Sequence, residues 1–362
     1  TWSVFSFDDC RALFIDPETF GSEMPQESKD TSLGALLNTL IAVDPPHHTH
    51  LRKIANMGFM PPVIVKFQEQ TRGLVNKLLD EVLEKGEVDI VNDFSAQVTV
   101  GMITSILGLP AADWPQIRQW TTDISNNVMA DVWLKERDPH REAVTARVTG
   151  ELAEYFHDYI AERKKHPKEG DLISTFMTAE VEGERLTDIE IEGTAMILLL
   201  AGNETTTNLI TNLFRNLANN PEQAEKLKGN PDLAKTTVEE VLRCSPSLRG
   251  TARRVKKSVE FRGKQFEPGD VAFAWLSTAN RDPDKFDRPD EFNIERKPNR
   301  HTAFAAGPHI CLGAPLARLE GRMVAEAFAN RVASVELLGD AEVAPNAIMD
   351  NVLSQRLRLT AA

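Results

Sequence analysis

The chain has 362 residues, 41% of them hydrophobic and 26% charged, the composition of an ordinary globular enzyme able to bury a large core. Its 54 acidic side chains outnumber 41 basic ones for a net charge of −13, which excludes general binding to nucleic acid or to an acidic membrane surface, because both need a positive field. Three cysteines, at 10, 244 and 311, are too few and too scattered for a disulfide framework, and no Cys-x-x-Cys pair points to zinc or an iron–sulfur cluster.

No stretch is rich enough in Pro, Gly and Ser to read as a linker, so one domain over residues 1–362 is expected. The start, Thr1-Trp2-Ser3-Val4-Phe5, lacks the basic residues, apolar run and cleavage site of a signal peptide. The longest apolar run, Ala195 to Ala201, is far short of the roughly 20 residues needed to span a bilayer. A cytoplasmic protein without a membrane anchor is expected.

Next in the chain, Asp44-Pro45-Pro46-His47-His48-Thr49-His50-Leu51-Arg52 enters a helix that places His48 and Arg52, four residues apart, on one face. Two such donors suit carboxylates. The rival reading is a zinc site made by His47, His48 and His50, but this spacing cannot converge on a tetrahedral ion without further ligands. From Pro61 to Tyr159 apolar residues recur at helical spacing, broken at Gly108-Leu109-Pro110 and at Asp138-Pro139. The clearest element starts at Thr187-Asp188-Ile189-Glu190, a capping box, and runs to Asn219 before Pro221. Its centre, Met196 to Ala201, is apolar all round, so this helix crosses the interior.

After a helix ending near Arg243, Val259 to Gly263 and Gly269 to Phe273 read as short strands with turn signals. An irregular stretch from Asn280 to Arg300 leads into a Gly-Pro loop and a helix from about Leu312 to Asn330. The fold class that follows is mainly α with a small β region.

The loop is Phe304-Ala305-Ala306-Gly307-Pro308-His309-Ile310-Cys311-Leu312-Gly313. Cys311 sits just before a helix, where backbone N–H groups and the helix dipole favour a thiolate, and a thiolate ligates iron. Gly307 and Gly313 remove side chains where backbone has to lie close to a flat macrocycle. The competing reading is a buried, inert thiol. On these residues the chain resembles the cytochrome P-450 family, whose haem loop reads Phe-Gly-x-Gly-x-His-x-Cys-x-Gly; Ala305 stands in place of the first glycine.

The resemblance extends to three other segments. Glu240-Val241-Leu242-Arg243 matches the family's Glu-x-x-Arg, two side chains on one helix face that otherwise read as a surface ion pair. In the family this pair locks to an arginine, for which Arg296 is the matching residue, in a structural role. Ala201-Gly202-Asn203-Glu204-Thr205 is similar to the oxygen-activating segment. A Thr205 hydroxyl bonding back to Ala201 and the absence of a side chain at Gly202 would let the helix open locally. The competing reading is a core threonine and a salt-bridged Glu204. His48, Arg52, His309 and, with Arg254 as its neighbour, Arg253 match the donors to the haem propionates.

As the resemblance implies, the protein adopts the cytochrome P-450 fold and is a haem-dependent monooxygenase that hydroxylates or dealkylates an apolar organic molecule. Haem b is held by Cys311 at the iron and by His48, Arg52, Ala201, Gly202, Arg253, Phe304, His309 and Gly313 around it. Thr205 holds dioxygen and water by hydrogen bonds, and Glu204 relays protons. The family carries further residues ahead of the point where this chain begins, so Thr1 is expected to be a trimmed start. No flavin or nicotinamide fingerprint occurs in the chain, so electrons come from a separate ferredoxin or flavodoxin with its reductase, docking near Arg52, Lys53 and Arg318. A monomer is expected. The alternatives are a peroxygenase driven by hydrogen peroxide, against which the acid-alcohol pair argues, and a haem-binding or sensor protein without turnover, which has no need of a proton relay. Segments 27–43, 120–133, 198–205, 248–252 and 349–353 are expected to line the pocket, with Ile41, Val43, Val128, Leu248 and Val352 suited to a small or medium apolar substrate.

Overall fold

A computed structural model describes residues 1–23, 39–131 and 138–362, the side chains of 128–131 excepted. Helices α1 (Phe7–Ile15), α2 (His47–Met57), α3 (Pro61–Lys66), α4 (Gln68–Lys85), α5 (Ala96–Leu107), α6 (Trp114–Asp131), α7 (Pro139–Lys165) and α8 (Leu172–Thr178) precede the long α9 (Asp188–Asn219). Then come α10 (Pro221–Gly229), α11 (Ala234–Cys244), α12 (Leu276–Ala279) and α13 (Ala314–Arg331).

The expected punctuation sets these boundaries. Gly108, at φ 79°, closes α5 in the left-handed region that glycine adopts without steric cost. The Asp138 carboxylate accepts from the backbone N–H groups of His140 and Arg141 and starts α7, with Pro139 in its first turn. At α9 the capping box is complete: Glu190 N–H donates to the Thr187 hydroxyl, and Thr187 N–H donates to the Glu190 carboxylate.

The small β region lies at two edges of this helical body. One sheet orders β1 (Trp2–Val4), β7 (Val271–Ala274), β4 (Thr251–Val255) and β2 (Phe20–Gly21), with β1 parallel to β7 and the other pairs antiparallel. A second sheet orders β3 (Glu87–Asp89), β11 (Arg356–Ala361) and β8 (Val332–Leu337). Two strand pairs, β5 (Val259–Phe261) with β6 (Lys264–Phe266) and β9 (Glu342–Val343) with β10 (Val352–Ser354), complete it.

The core is organised around α9, which is buried on all sides over most of its length, as its apolar centre predicts. Phe214 of α9 meets Phe94 and, from α13, Phe328 edge-on, with ring centroids 5.6 and 5.8 Å apart. The helix carrying the acid-alcohol segment and the helix that follows the Cys311 loop are therefore held in one packed unit. A smaller apolar group, with Phe14, Phe20, Val255 and Phe266, lies under the four-stranded sheet and backs the Cys311 loop from the other side through Ala305 and Ala306.

Candidate active site

The Cys311 loop is a set of tight turns closed by Cys311 N–H donating to the Phe304 carbonyl (3.0 Å) and Ile310 N–H donating to the Gly307 carbonyl (3.1 Å). Two residues take left-handed backbone, Ala305 at φ 56° and Gly307 at φ 70°. Ala305 thus keeps the conformation that the family's glycine would adopt, at a cost of about 1–2 kcal/mol for its Cβ. Gly307 has no such latitude: a Cβ there would overlap the Phe14 carbonyl of α1. Gly307→Ala is expected to lower stability by about 2–4 kcal/mol and to reduce haem occupancy, read by urea denaturation and the ratio of haem to protein absorbance.

Burial is the largest influence on the Cys311 thiol and pushes its pKa up; the Gly313 N–H, the Arg52 guanidinium, the Ala314 N–H and the Arg318 guanidinium pull it down without prevailing. The sequence argument for a thiolate at a helix start is therefore incomplete, because desolvation outweighs the helix terminus and a metal cation is needed to hold the charge. Cys311 is nonetheless exposed at its surface, which, beside so strong a burial effect, describes a side chain on the wall of an internal space.

His48, His309 and Arg253 meet next to this loop. The two imidazole rings lie 4.0 Å apart. Neither nitrogen of buried His48, nor Nε2 of His309, has a hydrogen-bond partner among the described residues. Burial, with the neighbouring cationic groups behind it, lowers the pKa of both, that of His309 to about 3. Buried Arg253 donates to its neighbour Ala252, lies over the Phe14 ring, and is brought down to about 10 by burial. Asp44, the acid acting on this group, is already bonded by Ser22 N–H and Lys256. Buried basic side chains without a carboxylate fit the two propionates of haem b, which would satisfy them. Arg254, whose guanidinium reaches Gly269 in the turn before β7, does not join the group. Arg52 goes elsewhere as well: its Nη1 donates to the Ile310 carbonyl at 2.6 Å, tying α2 to the loop beside Cys311. The three imidazoles of the zinc alternative diverge: His47 faces Glu190, His50 faces Glu184, and His48 faces His309.

In α9 the buried run breaks at one place. Ala201 is exposed and Gly202, Glu204 and Thr205 are partly exposed, whereas Gly193 to Leu199 and Thr206 to Phe214 are buried. A helix buried before and after such a stretch is accessible there because it lines an internal space. Thr205 donates its hydroxyl to the Ala201 carbonyl at 2.5 Å, as the sequence suggests, yet α9 continues through this point as one α-helix, so the expected local opening is absent. From outside the helix, Ser247 donates to the Thr205 carbonyl at 2.6 Å. Burial is the main influence on Glu204 and raises its pKa, opposed by a hydrogen bond from Thr122 and by the charge of Arg118; there is no salt bridge to it among the described residues.

Glu240 and Arg243 are both completely buried and bonded twice, at 2.9 and 2.8 Å, so the surface ion-pair reading fails. Arg296 donates to Glu240 at 3.1 Å. Arg243 also donates to the carbonyls of Asn280, Pro289 and Glu291, and Arg296 to those of Asp287, Arg288 and Glu291, so two guanidiniums hold the irregular segment by its backbone. Sequence reasoning missed Asn299, whose amide donates to Glu240, and Asn280, whose side-chain oxygen accepts from both the N–H and the hydroxyl of Thr302 at the mouth of the Cys311 loop. No periodicity marks either residue.

The candidate pocket segments divide. Residues 24–38, 132–137 and the Val128 side chain lie outside the described residues. Ile41 is exposed and Leu248 half-buried, with Leu248 bridged to Met349. Val43 and Val352 instead belong to the main apolar core. On the face beside Cys311, Lys53 is paired with Glu182 and Arg318 with Glu239, which leaves Arg52 as the expected docking cation without a carboxylate partner among the described residues.

The sequence profile of cytochrome P-450 matches residues 3–328. The putative cytochrome P-450 YjiB of Bacillus subtilis is 38% identical over 328 residues, covering 89% of this chain and 79% of that protein. The biotin biosynthesis cytochrome P-450 of Bacillus subtilis is 32% identical, covering 93% and 84%. Among solved structures, substrate-free CYP109E1 from Bacillus megaterium superposes with a TM-score of 0.91 at 32% identity, over 100% of this chain and 94% of that one. P-450BioI, in complex with an acyl carrier protein ligated to hexadec-9Z-enoic acid, gives 0.92 at 29% identity, over 99% and 92%. With a thiol on the wall of the cleft, basic residues lacking an anion and an acid-alcohol pair on the crossing helix, the chain belongs to the cytochrome P-450 family, the haem-thiolate monooxygenases.

Proposed function

We propose that this monooxygenase acts on a mainly apolar organic substrate of small to medium size, a steroid or a fatty acyl compound, with Cys311 as iron ligand and with Glu204 and Thr205 as its proton-handling pair. The observation that carries the reading is the single accessible window in the centre of α9, which exposes Ala201 and part of Glu204 and Thr205 in an otherwise buried helix. When bound, the haem supplies dioxygen binding and oxygen transfer to a C–H bond. The chain's own residues do the rest. Ala201 and Gly202, which carry little or no side chain on the accessible stretch of α9, would leave room for the macrocycle. His48, His309 and Arg253 would hold it by its propionates, Arg52 fixes the loop that carries Cys311, and Phe304 and Gly313 would flank the sulfur that ligates it. Glu204, pushed toward its protonated form by burial, holds a proton within the protein, and the Thr205 hydroxyl passes it into the cleft.

Titration of the ferric protein with testosterone and with hexadec-9-enoic acid tests the substrate class: a low-spin to high-spin change is expected with one of them. Support comes from CYP109E1 in complex with testosterone, 31% identical with a TM-score of 0.87, and from the acyl cargo of P-450BioI. Glu204→Gln is expected to lower product formation by about 10–100-fold while NADH and dioxygen are still consumed and peroxide is released. Unchanged product per NADH would remove Glu204 from proton delivery. In the same reading the protein is a single cytoplasmic domain acting as a monomer, with a separate ferredoxin or flavodoxin and its reductase as donor; among the described residues no helix is long and apolar enough to cross a membrane.

A further inference from the structure

The polar residues around the accessible window of α9 come from α6, from Thr99 of α5 and, at Thr205, from Ser247. Asn203 forms the tightest knot. Its side-chain oxygen accepts from Thr99 of α5 at 2.9 Å, its amide donates to Thr121 of α6, and Thr207 donates back to its carbonyl at 3.0 Å. The Thr99 and Thr207 hydroxyl oxygens lie 2.7 Å apart, so either can donate to the other in place of its bond to Asn203. Asn203 is almost wholly buried, so this knot fixes the register of α5, α6 and α9 against one another.

One residue further along both helices the pattern repeats with a different consequence. Thr122 donates its hydroxyl to Glu204 Oε1 at 3.0 Å, the one hydrogen bond that the Glu204 carboxyl receives from another side chain among the described residues. Thr121 with Asn203 is a satisfied core pair, whereas Thr122 with Glu204 sits at the edge of the window, where both residues are partly accessible. We infer that Thr122 is a positioning residue for proton delivery: its hydroxyl holds the Glu204 carboxyl against α6, so that the seating of α6 sets where the proton source of the site points.

The geometry gives α6 a second anchor. Ser125 and Asn126, one turn beyond Thr121 and Thr122 and on the same face, are bonded by the Asn351 amide at 3.2 and 2.8 Å, in the turn that precedes β10. The polar face of α6 thus links the Glu204 carboxyl to a turn that α9 also holds, through Asn208 to Val352 N–H and Asn212 to Asp350. A displacement of α6 that breaks the Asn351 contacts also frees Glu204. The balance at Glu204 supports the same point: burial favours the protonated carboxyl and the Thr122 hydroxyl opposes it. Arg118, the charged group acting on Glu204, lies one turn earlier on α6, with its guanidinium bonded to Asn92 ahead of α5.

This inference rests on the role proposed for Glu204, and the test separates the two. The holoenzyme is prepared as wild type, Thr122→Val, Thr122→Ser, Thr121→Val and Glu204→Gln. Glu204 protonation is followed through the carboxyl C=O infrared stretch, assigned by its loss in Glu204→Gln, and peroxide release per NADH is followed with a surrogate ferredoxin and its reductase. Thr122→Val is expected to shift the Glu204 titration to higher pH and to lower proton delivery by about tenfold, the worth of one hydrogen bond to a charged group. Thr122→Ser restores both, because it keeps the hydroxyl. Thr121→Val, which keeps the Thr122 hydroxyl, is expected to lower Tm and to move the Glu204 titration less than Thr122→Val does. A Glu204 titration that is the same in Thr122→Val and wild type overturns the inference while the role of Glu204 stands. Peroxide release in Glu204→Gln equal to wild type overturns both.

Discussion

Arg243→Ala is expected to remove about 3–5 kcal/mol of stability and to yield a chain that retains little haem. The magnitude follows from what is left behind. Glu240 and Arg243 are wholly buried, so truncating the arginine strands a carboxylate in the interior, with Arg296, Asn299, the Asn293 N–H and the weak Cys244 thiol as its remaining donors. The loss does not stop at the pair, because the carbonyls of Asn280, Pro289 and Glu291 lose their Arg243 donor. Replacing both members with apolar residues is therefore not expected to rescue the fold, unlike an isolated buried ion pair, which such a swap often leaves neutral or better. Haem content falls with stability because Asn280 also accepts from Thr302, which opens the Cys311 loop. Urea denaturation and the haem-to-protein absorbance ratio check this; a variant with wild-type midpoint and full haem would mean that the network is not what holds the segment.

Loss of Cys311 is expected to have the largest effect on function, because nothing else in the chain replaces it. Cys10 is buried against Val4 and Trp275, with burial pushing its thiol up to about 12. Cys244 is buried next to Glu240, which, after burial itself, helps push its thiol up to about 11. Each is a neutral, desolvated thiol packed into the protein, whereas Cys311 lies on an accessible wall with two backbone N–H groups and two guanidiniums acting to lower its pKa.

Much of this site could be read from local strings. The capping box at Thr187, the glycine stop at Gly108 and the Asp138-Pro139 start of α7 are each decided within four residues, and so they survive folding unchanged. The Cys311 loop and Glu240-Val241-Leu242-Arg243 are equally compact. What was illegible depends on distant partners. Thr122 reaches Glu204 across 82 positions and Asn299 reaches Glu240 across 59, and neither carries a spacing that marks it. Burial was illegible too. It decided for the interior, structural reading of Glu240 and Arg243 over the rival surface pair, placed Val43 and Val352 in the core, and set the direction of the Cys311 thiol against the helix-start argument. The backbone of Ala305 lies between the two cases: the family pattern asks for glycine, and the fold imposes the positive φ on alanine regardless.

The absorption spectrum of the dithionite-reduced protein under carbon monoxide, recorded for wild type and Cys311→Ala, tests the central claim most directly. Thiolate ligation predicts a strongly red-shifted haem band in wild type that is absent in Cys311→Ala. A conventional haem band in wild type, or a red-shifted band that persists without Cys311, would contradict the assignment of this cysteine as the iron ligand.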